Sequence, residues 1–259
     1  MKERRRGRAS PEGSHCEMNW VFPLLLERML WLAAPVVVLD PGHGGAQLGA
    51  QAGDFFEKDF ALELALLLKA DLEQQGFEVH LTREGDIWVA LQERVRRANE
   101  REPAVFVSLH ANAMPHGRRQ KSHGIETYFL AARASTEHAR RVAAFENKAL
   151  GEKPQHADMI EKILEDLRRT QFHTESSRLA HVVHEALIRT SGARDRGVQQ
   201  ALFWVLAGLN APAILVEFGF VSHEGELKRL KDVNYQRLLS KAVTQGIMKF
   251  LQRENVSQQ

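Results

Sequence analysis

The chain has 259 residues, 44% of them hydrophobic and 26% charged, with a formal net charge of +2. That length suits one sizeable α/β domain, or a domain with an insertion, and so small a charge excludes an electrostatic case for a nucleic-acid partner. One cysteine, Cys16, excludes an intrachain disulfide framework and a cysteine-rich zinc site, so with twelve histidines the metal ligands to look for are imidazole and carboxylate.

Residues 1–34 read as a leader or poorly ordered segment. Lys2, Arg4, Arg5, Arg6 and Arg8 form a solvated basic cluster, and the apolar run from Trp20 loosely imitates a signal peptide. Glu27 and Arg28 interrupt that run, and Pro35 leads almost at once into the first strand. A poor export signal, an amphipathic leader helix and an over-extended start (with Met18 or Met29 as the true one) all stay open. No other stretch approaches the ~20 apolar residues of a membrane span.

The folded domain is expected over 35–252, with a polar tail at 253–259. The β-branched run at 35–39 predicts a buried strand that ends in Asp40-Pro41-Gly42-His43-Gly44-Gly45. A helix is expected over 58–75, stopped by Gly76; then a strand at 77–81 and a helix over 88–101, ending before Pro103. Residues 104–109 read as a second buried strand with His110-Ala111-Asn112-Ala113 at its carboxyl end, and 124–130 as a further strand. Residues 131–170 are charged and helix-prone, an inserted helical segment. A helix over 174–190 carries Leu179, Val183, Ala186 and Leu187 on one face. Closing strands are expected at 201–206 and 213–216, and a terminal helix over 235–251. Strands alternating with helices predict an α/β fold: a single domain with a mostly parallel, mixed twisted sheet, helices on both faces, and the helical insertion.

Parallel strands bring their carboxyl ends to one edge, where open α/β sheets form ligand sites. His43 and His110 each follow such a strand, and Glu57 opens the helix after the first. Two histidines and a glutamate make a three-ligand set for a catalytic zinc, which keeps its fourth position for water. Glu217, ending the run Ala213-Ile-Leu-Val-Glu217, is placed to act as a carboxylate base beside it. Taken singly, each has a plainer reading: loop histidines, a carboxylate at a helix N-terminus, a strand-end charge. The glycines could instead cradle a phosphate, although neither G-x-x-x-x-G-K-[ST] nor G-x-G-x-x-G is present.

Six ordered motifs go further. Val37-Val-Leu-Asp-Pro-Gly-His-Gly-Gly45, Glu57-Lys58, Leu81-Thr-Arg83, Val107-Ser-Leu-His-Ala-Asn-Ala113, Gly197-Val-Gln-Gln-Ala-Leu-Phe-Trp-Val-Leu206 and Ile214-Leu-Val-Glu-Phe-Gly-Phe220 occur in family order. Together they resemble the zinc-dependent N-acetylmuramoyl-L-alanine amidases of the AmiC/CwlC type (the amidase_3 domain) over roughly 36–251. The resemblance implies one zinc ion per chain on His43, Glu57 and His110, and Glu217 as the catalytic carboxylate. The implied reaction is hydrolysis of the amide between N-acetylmuramic acid and L-alanine in peptidoglycan, in cell-wall remodelling or daughter-cell separation. It also implies peptidoglycan as the partner, a monomer, and a periplasmic or secreted location in the cell envelope. Asn112 and Arg83 are weaker candidates for contacts to substrate or to the residues that hold the metal, and Arg83 could equally pin the end of its strand. The chain departs from the family pattern at Phe218, often Thr, and at His223, often Asn.

The segment Ala139-Arg-Arg-Val-Ala-Ala-Phe-Glu-Asn-Lys148 is similar to an inserted helix of the division-associated branch, which blocks the zinc with a glutamate until a protein activator displaces it. Glu146 is the residue expected in that role; the plainer reading is a surface helix with Glu146 facing solvent. Two other functions stay open: a catalytically silent wall- or activator-binding module of the same fold, and a zinc amidohydrolase or peptidase acting on a different amide.

Overall fold

The computed structural model describes residues 34–114, 122–149 and 170–257. Residues 1–33 of the expected leader, 150–169 of the insertion and the last two residues of the tail lie outside them.

A six-stranded sheet runs in the order β4-β1-β5-β8-β6-β7. Its strands are β1 (Val36–Pro41), β4 (Glu78–Leu81), β5 (Val105–Asn112), β6 (Ile125–Leu130), β7 (Asp195–Ala201) and β8 (Ala213–Phe220). The first four in that spatial order are mutually parallel; β6 turns antiparallel against β8, and β7 lies parallel to β6. A short antiparallel pair, β2 (Gln51–Ala52) and β3 (Phe55–Phe56), stands apart from the sheet.

The inner strands are buried almost throughout and mostly apolar because both their faces are covered. Val37, Leu39, Val107 and Val216 point into one core, with α1 (Glu57–Gln74), α4 (Thr170–Ser191) and α6 (Val233–Ser257). Val38, Phe106 and Leu215 point into a second, with α2 (Leu91–Asn99) and α3 (Glu137–Ala149). In α1, Phe60, Leu64, Leu68 and Leu72 recur at helical spacing on the buried stripe, while Glu57 and Asp59 face the positive end of the helix dipole. A short helix, α5 (Glu224–Leu230), follows β8 and was not expected. Helix α6 continues to Ser257, into the stretch expected as tail.

One strand assignment is corrected. Residues 204–206 form a 3₁₀ turn, and the strand precedes them as β7. The apolar side chains of Phe203, Val205 and Leu206 are buried as a plug against the second core. Strand β7 is mostly polar and only partly buried because it is an outermost strand, with a neighbour on one side only. No helix among the described residues is long and apolar enough to cross a membrane.

Candidate metal centre

The chain leaves β1 through Gly42, whose N–H donates to the Leu109 carbonyl at 3.0 Å. A Cβ there would lie 2.5 Å from Cε1 of His110, so only glycine lets this turn approach the imidazole so closely. His43 follows with φ of +60°, the left-handed conformation that few non-glycine residues adopt, and that backbone is held from beneath. Arg94 of α2 donates to the carbonyls of His43 (2.5 Å) and Pro41 (2.8 Å) and pairs with Asp40 (2.7 Å). The buried Asp40 carboxylate also accepts from the hydroxyls of Thr82 and Ser108. Burial raises its proton affinity, but Arg94 and the two hydroxyls outweigh that and hold its pKa below the ordinary value.

Arg83 is buried, and its guanidinium donates to the carbonyls of Pro41, Gly42, Lys58 and Gly85. Four of its five N–H groups thus tie the His43 loop to the start of α1, the positioning role that was one of the readings open for Arg83. Burial lowers its pKa to about 10, leaving it charged near neutrality.

Glu57 opens α1 fully buried, accepting from the backbone N–H groups of Ala50 (2.6 Å) and Ala111 (3.0 Å). Its Oε2 lies 3.0 Å from Nε2 of His43, and its Oε1 2.9 Å from Nδ1 of His110. His110 sits inside β5 rather than past its end, and β5 runs on to Asn112. Glu146, on α3, completes the group, its Oε2 lying 3.2 Å from Nε2 of His43 and 3.0 Å from Nδ1 of His110. The ligand atoms of these four buried residues all fall within 4.8 Å of one another, a cluster that can hold a metal ion.

Part of this cluster is a hydrogen bond, between His110 Nδ1 and Glu57 Oε1 at 2.9 Å, and part is close approach without one. Among the described residues, Nε2 of His43 and Oε2 of Glu146 have no hydrogen-bond partner, although both are buried and lie 3.2 Å apart. Buried donor atoms gathered this closely, some of them without a hydrogen bond, suit a coordination shell. Ligands about 2.0–2.1 Å from a tetrahedral ion stand about 3.3 Å apart, near the separations found here.

The charges follow from this crowding. Burial pushes the His43 imidazole down, but the carboxylates of Glu57 and Glu146 outweigh it and raise it to about 10. His110 rises to about 9 against the same burial, through Glu146 and Glu57. Glu57 and Glu146 move below the carboxylate range despite burial, because the imidazoles stabilise their charge.

Glu217 lies in register with His110 across β5 and β8 and is fully buried, and neither carboxyl oxygen has a hydrogen-bond partner among the described residues. Burial, then the charges of Glu146, Glu57 and Glu126, push its pKa well above the usual carboxylate range. Asn112 donates to Glu126 at 3.2 Å. His223 caps α5, its Nδ1 accepting the N–H of Glu226, and Phe218 packs in the core against Phe60.

Three residues around the site were missed from the sequence: Arg94, Glu126 and His138. Glu126 is fully buried in β6 opposite Glu217, and accepts from Tyr128 Oη (2.9 Å), Arg196 Nε (2.8 Å) and the His138 imidazole, whose Nε2 lies 2.8 Å from Oε1. Arg94 did leave a signal, standing three residues after Leu91 and four before Ala98 on the buried stripe of α2.

Comparison with known proteins places the chain in a family. The family model described as N-acetylmuramoyl-L-alanine amidase (Amidase_3) matches residues 37–249. The AmiC amidase of Neisseria meningitidis is 32% identical over 222 residues, 84% of this chain and 53% of that protein. The chain therefore spans about half the length of that relative and of its Escherichia coli counterpart. Among solved structures, an N-acetylmuramoyl-L-alanine amidase from Clostridium difficile is similar with a TM-score of 0.65 and 28% identity, over 85% of this chain and 97% of that one. The CwlD amidase of Clostridioides difficile, solved in complex with the GerS lipoprotein, gives a TM-score of 0.64 and 25% identity, over 84% of this chain and 98% of that one.

Proposed function

The chain belongs to the N-acetylmuramoyl-L-alanine amidase family, and from that premise we propose that it is a zinc-dependent hydrolase cleaving the amide between N-acetylmuramic acid and L-alanine in peptidoglycan. The observation that carries this reading is the convergence of His43, Glu57 and His110 with a buried, unpaired Glu217 beside them.

In this reading His43, Glu57 and His110 hold one zinc ion. A bound zinc ion polarises a carbonyl and brings the pKa of water towards ~7. Glu217 takes the proton of the attacking water and returns it to the departing amine. Its environment suits that role. Crowded by carboxylates and stripped of hydrogen-bond donors, it holds a proton more readily than an ordinary glutamate. The substrate implies action outside the cytoplasmic membrane, periplasmic or secreted.

Glu146 is read as an inhibitor of the same site. Its carboxylate stands beside both ring nitrogens, in the space an attacking water needs. Helix α3 carries it there and is tied down at both ends: Thr136 binds Gln199, His138 binds Glu126, and Asn147 bonds the backbone of Leu202 and Trp204. A protein partner that draws α3 away would open the site.

Digestion of purified sacculi by the parent, Glu217→Ala and Glu146→Ala, with zinc measured in each, tests both parts. Zinc near one per chain, release of stem peptides that Glu217→Ala abolishes, and faster release by Glu146→Ala are expected. Cleavage unaffected by Glu217→Ala overturns the assigned acid–base residue, and zinc binding without cleavage even in Glu146→Ala favours a silent module.

A further inference from the structure

A row of polar side chains crosses four adjacent strands. His110 of β5 is in register with Glu217 of β8, Glu217 with Glu126 of β6, and Glu126 accepts a hydrogen bond from Nε of Arg196 on β7. Neighbouring strands lie about 4.8 Å apart, so Arg196 stands roughly 10 Å from Glu217, on the side away from His110.

Arg196 joins this row because β7 is bulged. Between the pairs Ile125↔Asp195 and Thr127↔Val198, β6 advances two residues and β7 three. Gly197 occupies the bulge with φ of +86°, a conformation that suits glycine. Bulges commonly redirect a side chain beside an active site.

The guanidinium is held in place with its fork unengaged. Its carbon lies 4.8 Å over the Phe220 ring, and Nε donates to Glu126. No hydrogen bond among the described residues engages its two terminal amino groups, and its side chain is 20% exposed. Glu126 already has Asn112, Tyr128 and His138 as partners. A cation recruited only to neutralise Glu126 would present both arms of its fork to that carboxylate; Arg196 commits a single N–H.

We propose that Arg196 recognises a carboxylate of the peptide leaving group, the one on the second residue of the stem peptide, and so sets a preference for acidic over amidated stems. The proposal rests on the amidase reading. An extended peptide advances about 3.4 Å per residue, so the second residue begins about 3.4 Å beyond the scissile nitrogen and its Cα lies about 5 Å from it. The reach of the two side groups covers the rest of the distance to Arg196. A planar fork already oriented by Phe220 and Glu126 loses little freedom on gripping a carboxylate.

The test is calorimetric titration of the full chain, in the parent and in Glu146→Ala, with two synthetic peptides. One is L-Ala-γ-D-Glu-L-Lys-D-Ala; the other carries D-isoglutamine at the second position. The acidic peptide should bind about tenfold tighter, the scale of one charge-assisted contact. Arg196→Gln should bring the ratio to about one, and Arg196→Lys, which keeps the charge beside Glu126 but not the fork, to an intermediate value. Equal binding of the two peptides, binding of neither, or a ratio that persists in Arg196→Gln with an unchanged unfolding midpoint would overturn the proposal. Should Arg196→Gln not fold, a full ratio in Arg196→Lys would overturn it equally. Sacculus digestion by the same preparations reports separately on the amidase reading.

Discussion

Replacing Arg94 with methionine removes the clamp beneath the His43 loop. Arg94 is 1% exposed and donates to Asp40 and to the carbonyls of Val89, Pro41 and His43. Methionine has similar bulk but no donors, so three carbonyls lose a partner and Asp40 becomes a buried carboxylate supported only by Thr82 and Ser108. Breaking a buried pair from one side costs about 3–5 kcal/mol, a large share of the 5–15 kcal/mol that holds a typical domain. Urea unfolding should register that loss at pH 7. The pH dependence then separates charge from packing. In the parent, Asp40 has a folded pKa below its unfolded one, so its contribution is present above pH ~4 and is lost as the pH falls through the folded value. In Arg94→Met the chief cause of that lowering is gone and burial remains, so the folded pKa rises and acid now favours the native state. The gap between the two proteins should therefore narrow from pH 7 towards pH 4. A loss under about 1 kcal/mol, or a gap that stays constant with pH, would refute this account of how the loop is held.

Three further outcomes are expected. The imidazoles of His43 and His110, raised to about 10 and about 9, are protonated near neutrality and must shed those protons to bind a metal, so zinc loading at pH 7 should release about two protons per ion, and calorimetry in buffers of different ionisation enthalpy should detect them. Gly42→Ala drives a methyl to 2.5 Å from the His110 ring, and about 1–3 kcal/mol of overpacking strain should appear as weaker zinc retention against a chelator. Glu217→Gln keeps the shape of the side chain without its proton chemistry; peptidoglycan cleavage should fall about 10²–10⁴-fold while bound zinc, measured by atomic absorption, stays unchanged.

Much of the fold was legible because β1, β5 and β8 are covered on both faces and each opens on a short apolar run. Strand β7 was not, since an outermost strand has no such requirement, and the run Phe203-Trp204-Val205 nearby imitated the missing signal. The candidates His43, Glu57, His110 and Glu217 could be placed on one sheet edge because each lies at or near the end of an element whose direction is readable from its pattern, and the family resemblance implied their roles. Their supports could not be placed in this way. Arg94 reaches Asp40 across 54 residues and Arg196 reaches Glu126 across 70, and no local period encodes such pairs. What the sequence did contain was charge in apolar surroundings: Glu126 within Ile125-Glu126-Thr127-Tyr128, and Arg94 on a buried helical stripe.

The composition of α3 makes it the element best suited to leave. Its buried apolar residues are Ala139, Val142 and Ala143, whereas α1 buries Phe60, Leu64, Leu68 and Leu72. At about 1.5–3 kcal/mol for a large side chain and ~0.8 for a methyl, α3 gains about 3–5 kcal/mol from apolar burial, where those four residues of α1 gain about 6–12. The remaining anchors of α3 are polar, and water replaces such contacts with a net loss of only about 0.5–1.5 kcal/mol each. The two helices therefore differ in kind. Removing α1 would dismantle the core and take Glu57 with it, while removing α3 uncovers Glu126 and the metal ligands and leaves the sheet intact. A partner that favours the open form by a few kcal/mol, about 10²–10⁴-fold in affinity, can shift that balance. On the reading that Glu146 blocks the site, Phe145, half exposed next to it, would offer such a partner an apolar grip on α3.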